Sequence, residues 1–355
     1  MGEVTKIQWC DHTFNPWWGC VKVSAGCEHC YAEGFAKRTG CDVFGPDKPR
    51  RFFGDKHWAE PLKWNAKAEA AGVRRRVFCG SMCDVFEWID SPTNELILPR
   101  ERLWALIEAT PWLDWQLLTK RPANMTRLSP AAWADGWPRN AWALATVENQ
   151  EVAASRIVEL LGVPAAVRGL SLEPLLGPVD LSPWLFCEQC DNDAWPGRGA
   201  IRDDLSSAAG GKPWHECGCA KLGWVIVGGE SGHGARPMHP DWARSIRDQC
   251  QEAGVPFFFK QWGEWAEATR ENTPATNMPF GPREHAGLGR IDESAWQGQF
   301  AIWGEYRNEW GWHYDGHPNA RPDWHHQVMS HVGKKAAGRL LDGREWNEIP
   351  TQEGM

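Results

Sequence analysis

The 355-residue sequence lacks the features of a membrane or secreted protein. No apolar run approaches the roughly 18 residues that a membrane-spanning helix needs, and no basic region precedes an apolar stretch near its start. We therefore expect a cytoplasmic protein without a membrane partner. Tyrosine is also scarce, with 3 residues against 25 tryptophans. Most of these indoles are expected to pack in or around the core, because each buries a large apolar area.

Positive charge is not in excess either. The formal net charge is -8, so no bulk electrostatic attraction draws the chain to nucleic acid or to anionic lipid. Basic residues do cluster locally at 74–76 and at Lys334, Lys335 and Arg339. Such short runs are usually solvated surfaces, and they predict no partner by themselves.

Cysteine, by contrast, is plentiful, and its spacing near the start of the chain is informative. Twelve cysteines without a secretory signal favour metal ligation over disulfides. Cys20, Cys27 and Cys30 lie on one glycine-punctuated stretch with the spacing C-x6-C-x2-C, followed by Tyr31. Three thiolates on one loop can hold three irons of a [4Fe-4S] cluster and leave the fourth iron open to a cofactor. The alternatives are a zinc site completed by a distant residue, or three buried thiols.

Short apolar runs alternate with helical patterns along most of the chain. This alternation predicts βαβ units around a parallel sheet. The predicted strands are 75–81, 115–119, 141–147, 169–172, 224–227 and 255–259, and the predicted helices are 31–38, 99–110, 150–161 and 241–253.

Polar residues follow the carboxyl ends of these predicted strands. Ligands of barrels and open sheets bind at that end, so the residues form a candidate active-site rim. The alternative is that these residues have no role in binding or catalysis and are polar only because strand ends are exposed to solvent. The candidate rim residues are Ser81, Asp84, Lys120, Arg121, Glu148, Asn149, Glu173, Glu230 and Lys260.

Two stretches interrupt the alternation. Residues 178–222 form an insertion with Cys187 and Cys190 in one pair and Cys217 and Cys219 in another, which predicts a structural zinc in a ribbon-like segment. His215 could replace one of these thiols as a ligand. Residues 264–355 are predicted to form an irregular, tryptophan-rich cover that ends in a basic tail.

Several of these motifs resemble the three-cysteine-motif proteins of phages and prophages. The resemblance covers most of the chain outside the insertion and the tryptophan-rich stretch. It is carried by Thr13–Cys20, Ser24–Ala32, Leu118–Pro122, Leu172–Leu175, Gly228–Gly232, Ala235–Met238, Phe258–Gly263 and Gly333–Arg344. That family looks like a branch of the radical S-adenosylmethionine enzymes. The cysteine loop resembles theirs, with three more residues in its first gap than the commonest spacing.

The resemblance implies an α/β fold, a partial (β/α) barrel of radical S-adenosylmethionine type over residues 1–177 and 223–263. It implies a [4Fe-4S] cluster on Cys20, Cys27 and Cys30, with S-adenosylmethionine as cofactor and an electron donor such as flavodoxin or ferredoxin. Gly228-Gly229-Glu230 spells the motif that binds the cofactor's methionine amine, but it follows the late predicted strand 224–227, and Gly80-Ser81-Met82, at the end of the strand 75–81, occupies the expected place. The residues expected to bind the cofactor are Ser81, Lys120, Arg121, Glu148 and Asn149, and those expected to be catalytic are Glu173, Glu230 and Lys260.

The substrate class follows from the phage context of the resembling family. We expect a radical enzyme that modifies or rearranges a nucleobase, such as an amino-acid-decorated thymidine, in phage DNA inside an infected or prophage-bearing host. A base in a duplex would have to be flipped into the site, where indoles are available for stacking. The alternatives are a lyase that repairs pyrimidine photodamage, and a non-catalytic, zinc-dependent nucleic-acid-binding protein.

Overall fold

Seven parallel strands form the central sheet of the protein. The computed structural model describes residues 5–90, 94–185, 221–267, 300–303 and 327–350, with the backbone alone at 300–303 and 327–328. Neighbouring strands in this sheet follow one another along the chain. They are β1 (His12–Phe14), β4 (Arg75–Cys79), β5 (Leu113–Thr119), β6 (Ala141–Thr146), β7 (Arg168–Leu172), β8 (Trp224–Gly228) and β9 (Phe257–Gln261).

Helices connect the strands of the central sheet, and two short strands form a separate antiparallel pair. β2 (Trp17–Trp18) pairs with β3 (Arg51–Phe52). The helices are α1 (Tyr31–Arg38), α2 (Asp55–Trp58), α3 (Glu60–Ala71), α4 (Ile97–Glu108), α5 (Met125–Leu128), α6 (Gln150–Leu161), α7 (Ser182–Leu185), α8 (Pro240–Ala253) and α9 (Lys334–Ala337). Short 3-10 turns lie at Ala25–Cys27, Pro122–Asn124 and Ala131–Trp133. None of the helices in the described part of the chain is long and apolar enough to cross a membrane.

The two faces of the sheet bury different sets of side chains, because alternate residues of a strand point to opposite faces. In β4, Val77 and Cys79 belong to the large cluster formed with the helices, whereas Phe78 belongs to a second cluster. Leu144 in β6 and Ile226 in β8 also belong to this second cluster. The helices therefore cover one face, and the second cluster fills the other.

Aromatic contacts show that the second face is concave. The Trp9 ring lies 4.6 Å from that of Phe78 in β4 and 5.9 Å from that of Trp224 in β8, so those two rings are at most 10.5 Å apart. In a flat sheet, strands four positions apart would be separated by about 19 Å. The sheet is therefore curled around Trp9, and the prediction of a partial (β/α) barrel is confirmed.

Local sequence signals account for the helices that position the site. α6 begins where Asn149 Oδ1 accepts a hydrogen bond from the Val152 amide at 3.0 Å, the geometry of an N-cap. It buries Ala153, Ile157 and Leu160 against the sheet. The predicted bounds of α1 and α6 are both confirmed.

The C-terminal part of the chain differs from the prediction of an irregular cover. β10 (Trp265–Glu267), β12 (Gln327–His331) and β11 (Phe300–Trp303) form a three-stranded antiparallel sheet. Farther on, the Phe259 amide donates to Trp346 O at 3.0 Å and the Glu348 amide donates to Phe257 O at 3.2 Å. The chain thus covers the open edge of β9. The spacing of aromatic residues in this stretch gave no period-2 pattern from which these short strands could be predicted.

The predicted zinc ligands Cys187, Cys190, Cys217 and Cys219, with His215, lie outside the described residues. The zinc site stays a prediction.

Candidate active site

A cavity of about 170 Å³ lies at the carboxyl ends of the barrel strands. It brings together ten of the predicted residues: Cys20, Cys27, Cys30, Ser81, Asp84, Lys120, Arg121, Glu173, Glu230 and Lys260. Glu148 and Asn149 do not line it. Two larger cavities, of about 550 and 560 Å³, lie beside His57 and beside Trp104, and no cysteine lines either of them. Because the three cysteines of the loop line the smaller cavity, we take it as the candidate active site.

The cysteine loop, residues 20–30, is held over this cavity at three places. The first is Val21, whose amide donates to Glu87 Oε1 at 2.9 Å and whose carbonyl accepts from Arg121 Nη2 at 2.7 Å. Glu87 is itself buried and paired with Arg50 at 2.9 Å. Both polar groups of the Val21 peptide are thus satisfied by residues that follow β4 and β5.

Arg121 also contacts the first cysteine. Its Nη1 lies 2.8 Å from Asp84 Oδ2 and 3.5 Å from Cys20 Sγ. Burial opposes the positive charge of the guanidinium, but Asp84 and Cys20 outweigh burial and raise the pKa of Arg121. Burial also raises the pKa of the Cys20 thiol to about 12, while Arg121 acts in the opposite direction. The arginine is therefore the group that favours a thiolate at Cys20.

The second place is the turn at Ser24, which contacts the end of β6. Ser24 Oγ donates to Glu148 Oε1 at 2.5 Å, and Arg156 Nη1 pairs with the same buried carboxylate at 3.0 Å. A Cβ atom on Gly26 would lie only 2.4 Å from Glu148 Oε1. Only glycine lets the loop come this close to the carboxylate.

The third place is held by Arg236, which follows β8. Its Nη2 donates to Ala25 O at 2.8 Å, and its Nη1 pairs with Glu28 at 2.9 Å. Glu230 binds the same guanidinium, with Nη2 2.7 Å from Oε1 and Nε 2.9 Å from Oε2, and raises the pKa of Arg236. Glu230 thus reaches the cysteine loop through Arg236.

Gly229 and Gly263, which lie on either side of the contact between the ends of β8 and β9, have a packing role. A Cβ atom on Gly229 would lie 1.9 Å from Trp262 O, and one on Gly263 would lie 2.0 Å from Glu230 O. The ends of β8 and β9 approach too closely for any side chain at these positions. This close approach accounts for the second glycine of the sequence Gly-Gly-Glu that follows the predicted strand 224–227.

The chemistry of the three thiols fits a metal–sulfur cluster. Cys20, Cys27 and Cys30 are all free of disulfides and line the same cavity. Among the described residues, however, no three His, Cys, Asp or Glu side chains form a group already arranged to hold a metal. Cys20 Sγ lies 3.3 Å from Val21 O, and Cys27 Sγ lies 4.0 Å from Ser24 Oγ. Cluster binding would require the three side chains to turn toward one another.

Lys120 and two further polar side chains face the cavity. Lys120 lies two residues beyond Leu118, which packs with the concave cluster, so it points to the same face. Its ammonium makes no hydrogen bond or ion pair within the described part of the chain. Thr146 and Ser171 also line the cavity and pair in register between β6 and β7. The sequence analysis missed these two hydroxyls. Thr146 could have been found, because it lies two residues after Leu144 in β6 and alternate residues of a strand face the same side of the sheet.

Across the mouth, Glu173 and Lys260 form an ion pair. Lys260 Nζ lies 2.7 and 2.8 Å from the two carboxylate oxygens, and Gln261 Nε2 donates to Oε1 at 3.2 Å. The carboxylate passes over Gly228, where a Cβ atom would lie 3.2 Å from Glu173 Cδ. The pair therefore links the ends of β7 and β9 across β8.

Comparisons with known proteins give a family and a set of distant structures. A family model described as "Protein of unknown function (DUF5131)" matches residues 4–350. No curated protein matches the sequence. A spore photoproduct lyase mutant with bound AdoMet and dinucleoside spore photoproduct is 14% identical, with a TM-score of 0.33 over 46% of each chain. The chain thus spans under half of that protein.

Two further mutants of spore photoproduct lyase are similarly distant. A cysteine-to-serine mutant is 12% identical with a TM-score of 0.39, covering 71% of this chain and 77% of the other. A tyrosine-to-phenylalanine mutant is 12% identical with a TM-score of 0.33, covering 66% and 59%. Similarity at this level transfers no activity, so function has to be argued from the site.

Proposed function

The chain belongs to the DUF5131 family of proteins of unknown function, and from its site we propose that it is a radical S-adenosylmethionine enzyme. The observation that supports this most is the cysteine loop, together with the three sets of contacts that hold it over the cavity, which we call the clamp. Three free thiols lie on one loop, over the cavity at the carboxyl ends of a parallel barrel. A site of this kind can hold three irons of a [4Fe-4S] cluster on Cys20, Cys27 and Cys30 and leave the fourth open.

When bound, the cluster and S-adenosylmethionine would supply the chemistry, in which one-electron reduction of the sulfonium releases methionine and a 5′-deoxyadenosyl radical. The protein's part is to position the cofactor and to exclude water. Trp9, Phe78 and Leu118 form an apolar floor beneath the polar rim of the cavity. A flavodoxin or ferredoxin is the proposed electron donor.

Among the cations at the mouth, Lys120 is the one proposed to bind the cofactor carboxylate. Arg121 is occupied by Asp84, Val21 and Cys20, and Lys260 by Glu173. The ammonium of Lys120 has no partner among the residues that the structure describes, and it lines the cavity, where it can make a charge-assisted hydrogen bond.

Hydroxyl groups are the proposed partners of the cofactor's ribose. Thr146 and Ser171 stand side by side on neighbouring strands, and each hydroxyl can both donate and accept. Ser81 Oγ accepts from Asn15 Nδ2 at 2.9 Å and keeps its own proton to donate. Glu148 and Asn149 are also predicted from the sequence to bind the cofactor directly. Their contacts with Ser24 and with the α6 amide favour an indirect role.

The proposed substrate is a nucleobase, modified or rearranged in phage DNA. Aromatic side chains line the cavity at its floor and rim, including Trp9, Tyr31, Phe44 and Phe78. Flat rings of this kind stack on an extruded base. Glu173, Glu230 and Lys260 remain the proposed catalytic group, with Glu230 acting through Arg236.

Anaerobic reconstitution with iron and sulfide tests the proposal. We expect the brown absorbance of an iron–sulfur cluster and, after reduction, release of 5′-deoxyadenosine from S-adenosylmethionine. A variant with Cys20, Cys27 and Cys30 all replaced by Ala should lose both. The control is Cys41→Ala, because Cys41 is a half-buried thiol that packs against the same apolar cluster as Cys30 but is not one of the three. A protein that binds zinc in place of iron, or iron that persists in the triple variant, would contradict the proposal.

A further inference from the structure

We propose that Glu173 and Lys260 read the substrate by binding a planar ring through an N–H group beside a carbonyl. This is the lactam or imide edge found in thymine, uracil and guanine. The inference rests on the proposed function for its choice of nucleobases, and it adds which edge of the base is held and by which residues.

The pair is built into the cavity wall. The side chains of Glu173 and Lys260 are only 19% and 16% exposed, and both line the cavity. Gln261 holds one carboxylate oxygen from the β9 side, and Gly228 leaves room for the carboxylate to pass over β8. Two contacts from elsewhere on the chain thus fix its orientation.

Each partner keeps hydrogen-bonding capacity after the pair has formed. An ammonium has three donors and no acceptor, and Lys260 uses two of them on Glu173. An ionised carboxylate only accepts, and Glu173 Oε2 contacts Lys260 alone within the described residues. The pair therefore offers one donor next to one acceptor.

The complementary ligand follows from this arrangement. An acceptor beside a donor is matched by an N–H beside a C=O on the same ring edge. For a phosphate or carboxylate ligand, repulsion by Glu173 offsets attraction by Lys260, and for a cation the two effects are reversed. Since the pair is neutral as a whole, it favours a neutral ring. The floor formed by Trp9 and Phe78 offers flat apolar surfaces for such a ring.

The strand order separates Lys260 from Lys120, the residue proposed to bind the cofactor carboxylate. Lys120 follows β5 and Thr146 ends β6, whereas Glu173 follows β7 and Lys260 lies in β9. Lys120 and Thr146 therefore lie on one side of the mouth and Lys260 on the other, with Ser171 in β7 beside Glu173. A base held by Glu173 and Lys260 would face the cofactor across the cavity.

The test compares a thymidine dinucleotide with its N3-methylated form, which lacks the N–H. Binding is measured by calorimetry on the full-length, reconstituted protein with S-adenosylmethionine and without reductant. We expect methylation to weaken binding by about 10- to 100-fold, the effect of losing a hydrogen bond to a charged group. No difference between the two dinucleotides, or no binding of either, would overturn the inference.

A double variant, Glu173→Met with Lys260→Met, assigns the effect to the pair. Replacing a buried ion pair by apolar residues of similar size is often neutral for stability, so the fold should survive. We expect the two dinucleotides to bind this variant equally. The matched control, Glu60→Met with Lys63→Met, removes an ion pair of the same type on α3 and should keep the full difference. A double variant that also keeps the full difference would overturn the inference.

This outcome is independent of turnover. Discrimination between the dinucleotides by a protein that never cleaves S-adenosylmethionine would contradict the proposed function and leave this inference standing. Cleavage of S-adenosylmethionine by a protein that does not discriminate between the dinucleotides would support the proposed function and overturn this inference.

Discussion

Arg121 and Cys20 are in direct contact, with Nη1 3.5 Å from Sγ, and Asp84 lies 2.8 Å from the same nitrogen. A donor at this distance stabilises negative charge on the sulfur. The contact links the end of β5 to the first residue of the cysteine loop. It makes Arg121 a positioning residue for the proposed cluster.

Replacing Arg121 by Met should therefore make the cluster harder to reduce. Loss of the donor is expected to shift the midpoint potential by about 60 mV to more negative values, which is equivalent to about 1.4 kcal/mol for one electron. Redox titration followed by electron paramagnetic resonance measures the shift, and Arg121→Lys should restore part of it. The control is Arg102→Met, at an exposed arginine on α4. An unchanged potential in Arg121→Met would rule out this role.

Gly26→Ala should loosen the cysteine loop. The new Cβ atom would lie 2.4 Å from Glu148 Oε1, so either the loop or the buried carboxylate must move. We expect less iron and sulfide per chain after reconstitution. Gly34→Ala on α1 is the matched control, because its Cβ atom would meet nothing closer than 3.6 Å and alanine favours a helix. Equal cluster content in the two variants would show that the close approach is unimportant.

Lys120→Met should weaken binding of S-adenosylmethionine by about tenfold or more while the cluster spectrum is unchanged, because the variant removes a charge-assisted hydrogen bond. Equilibrium binding to the reconstituted protein measures the effect. Lys63→Met, at an exposed lysine on α3, should bind the cofactor as the parent does. If Lys120→Met binds S-adenosylmethionine as tightly as the parent does, a residue other than Lys120 must bind the cofactor carboxylate.

His239 should make stability depend on pH below neutrality. Its ring caps α8, with Nδ1 accepting from the Asp241 amide at 3.1 Å, and burial lowers its pKa from 6.5 to about 4. Because the unfolded chain takes up the proton first, the free energy of unfolding should fall as the pH drops from about 6.5 to 4.

The variant His239→Asn tests this, since asparagine also caps helices but does not titrate. Urea unfolding at several pH values should show a shallower decline in this window than for the parent. An identical decline would assign the pH dependence to other groups, such as His57, whose pKa burial also lowers.

The predicted zinc site can be tested by metal analysis. The two cysteine pairs should hold one zinc per chain, and Cys187→Ser with Cys190→Ser should release it without loss of iron, because a closed zinc site contributes to local folding only. Freely alkylated thiols at all four positions in the parent would show that the prediction is wrong.

The barrel was predictable because its signals are local. Apolar runs at 141–147 and 224–227 gave β6 and β8, and the apolar period of 150–161 gave α6. The cavity followed from the rule that strand ends meet at one edge of the sheet.

The clamp on the cysteine loop was not predictable in the same way. Val21 meets Arg121, and Ala25 meets Arg236, a residue 211 positions away. No spacing in the sequence reveals which arginine reaches which carbonyl. The roles of Glu148 and Arg121 therefore became visible only when their contacts were known, and their predicted direct contact with the cofactor has no support from those contacts.

The contacts that hold the cysteine loop also limit how its sequence can change in evolution. Its contacts at Val21, Ser24 and Ala25 all fall in the six-residue gap between the first two cysteines. A deletion in that gap would remove one hydrogen bond from a buried carboxylate, either Glu87 or Glu148, at a cost of about 1.5–3 kcal/mol, although each would keep its arginine partner. The gap and the carboxylates can therefore change only together. Related sequences with a shorter gap should carry different residues at the ends of these strands.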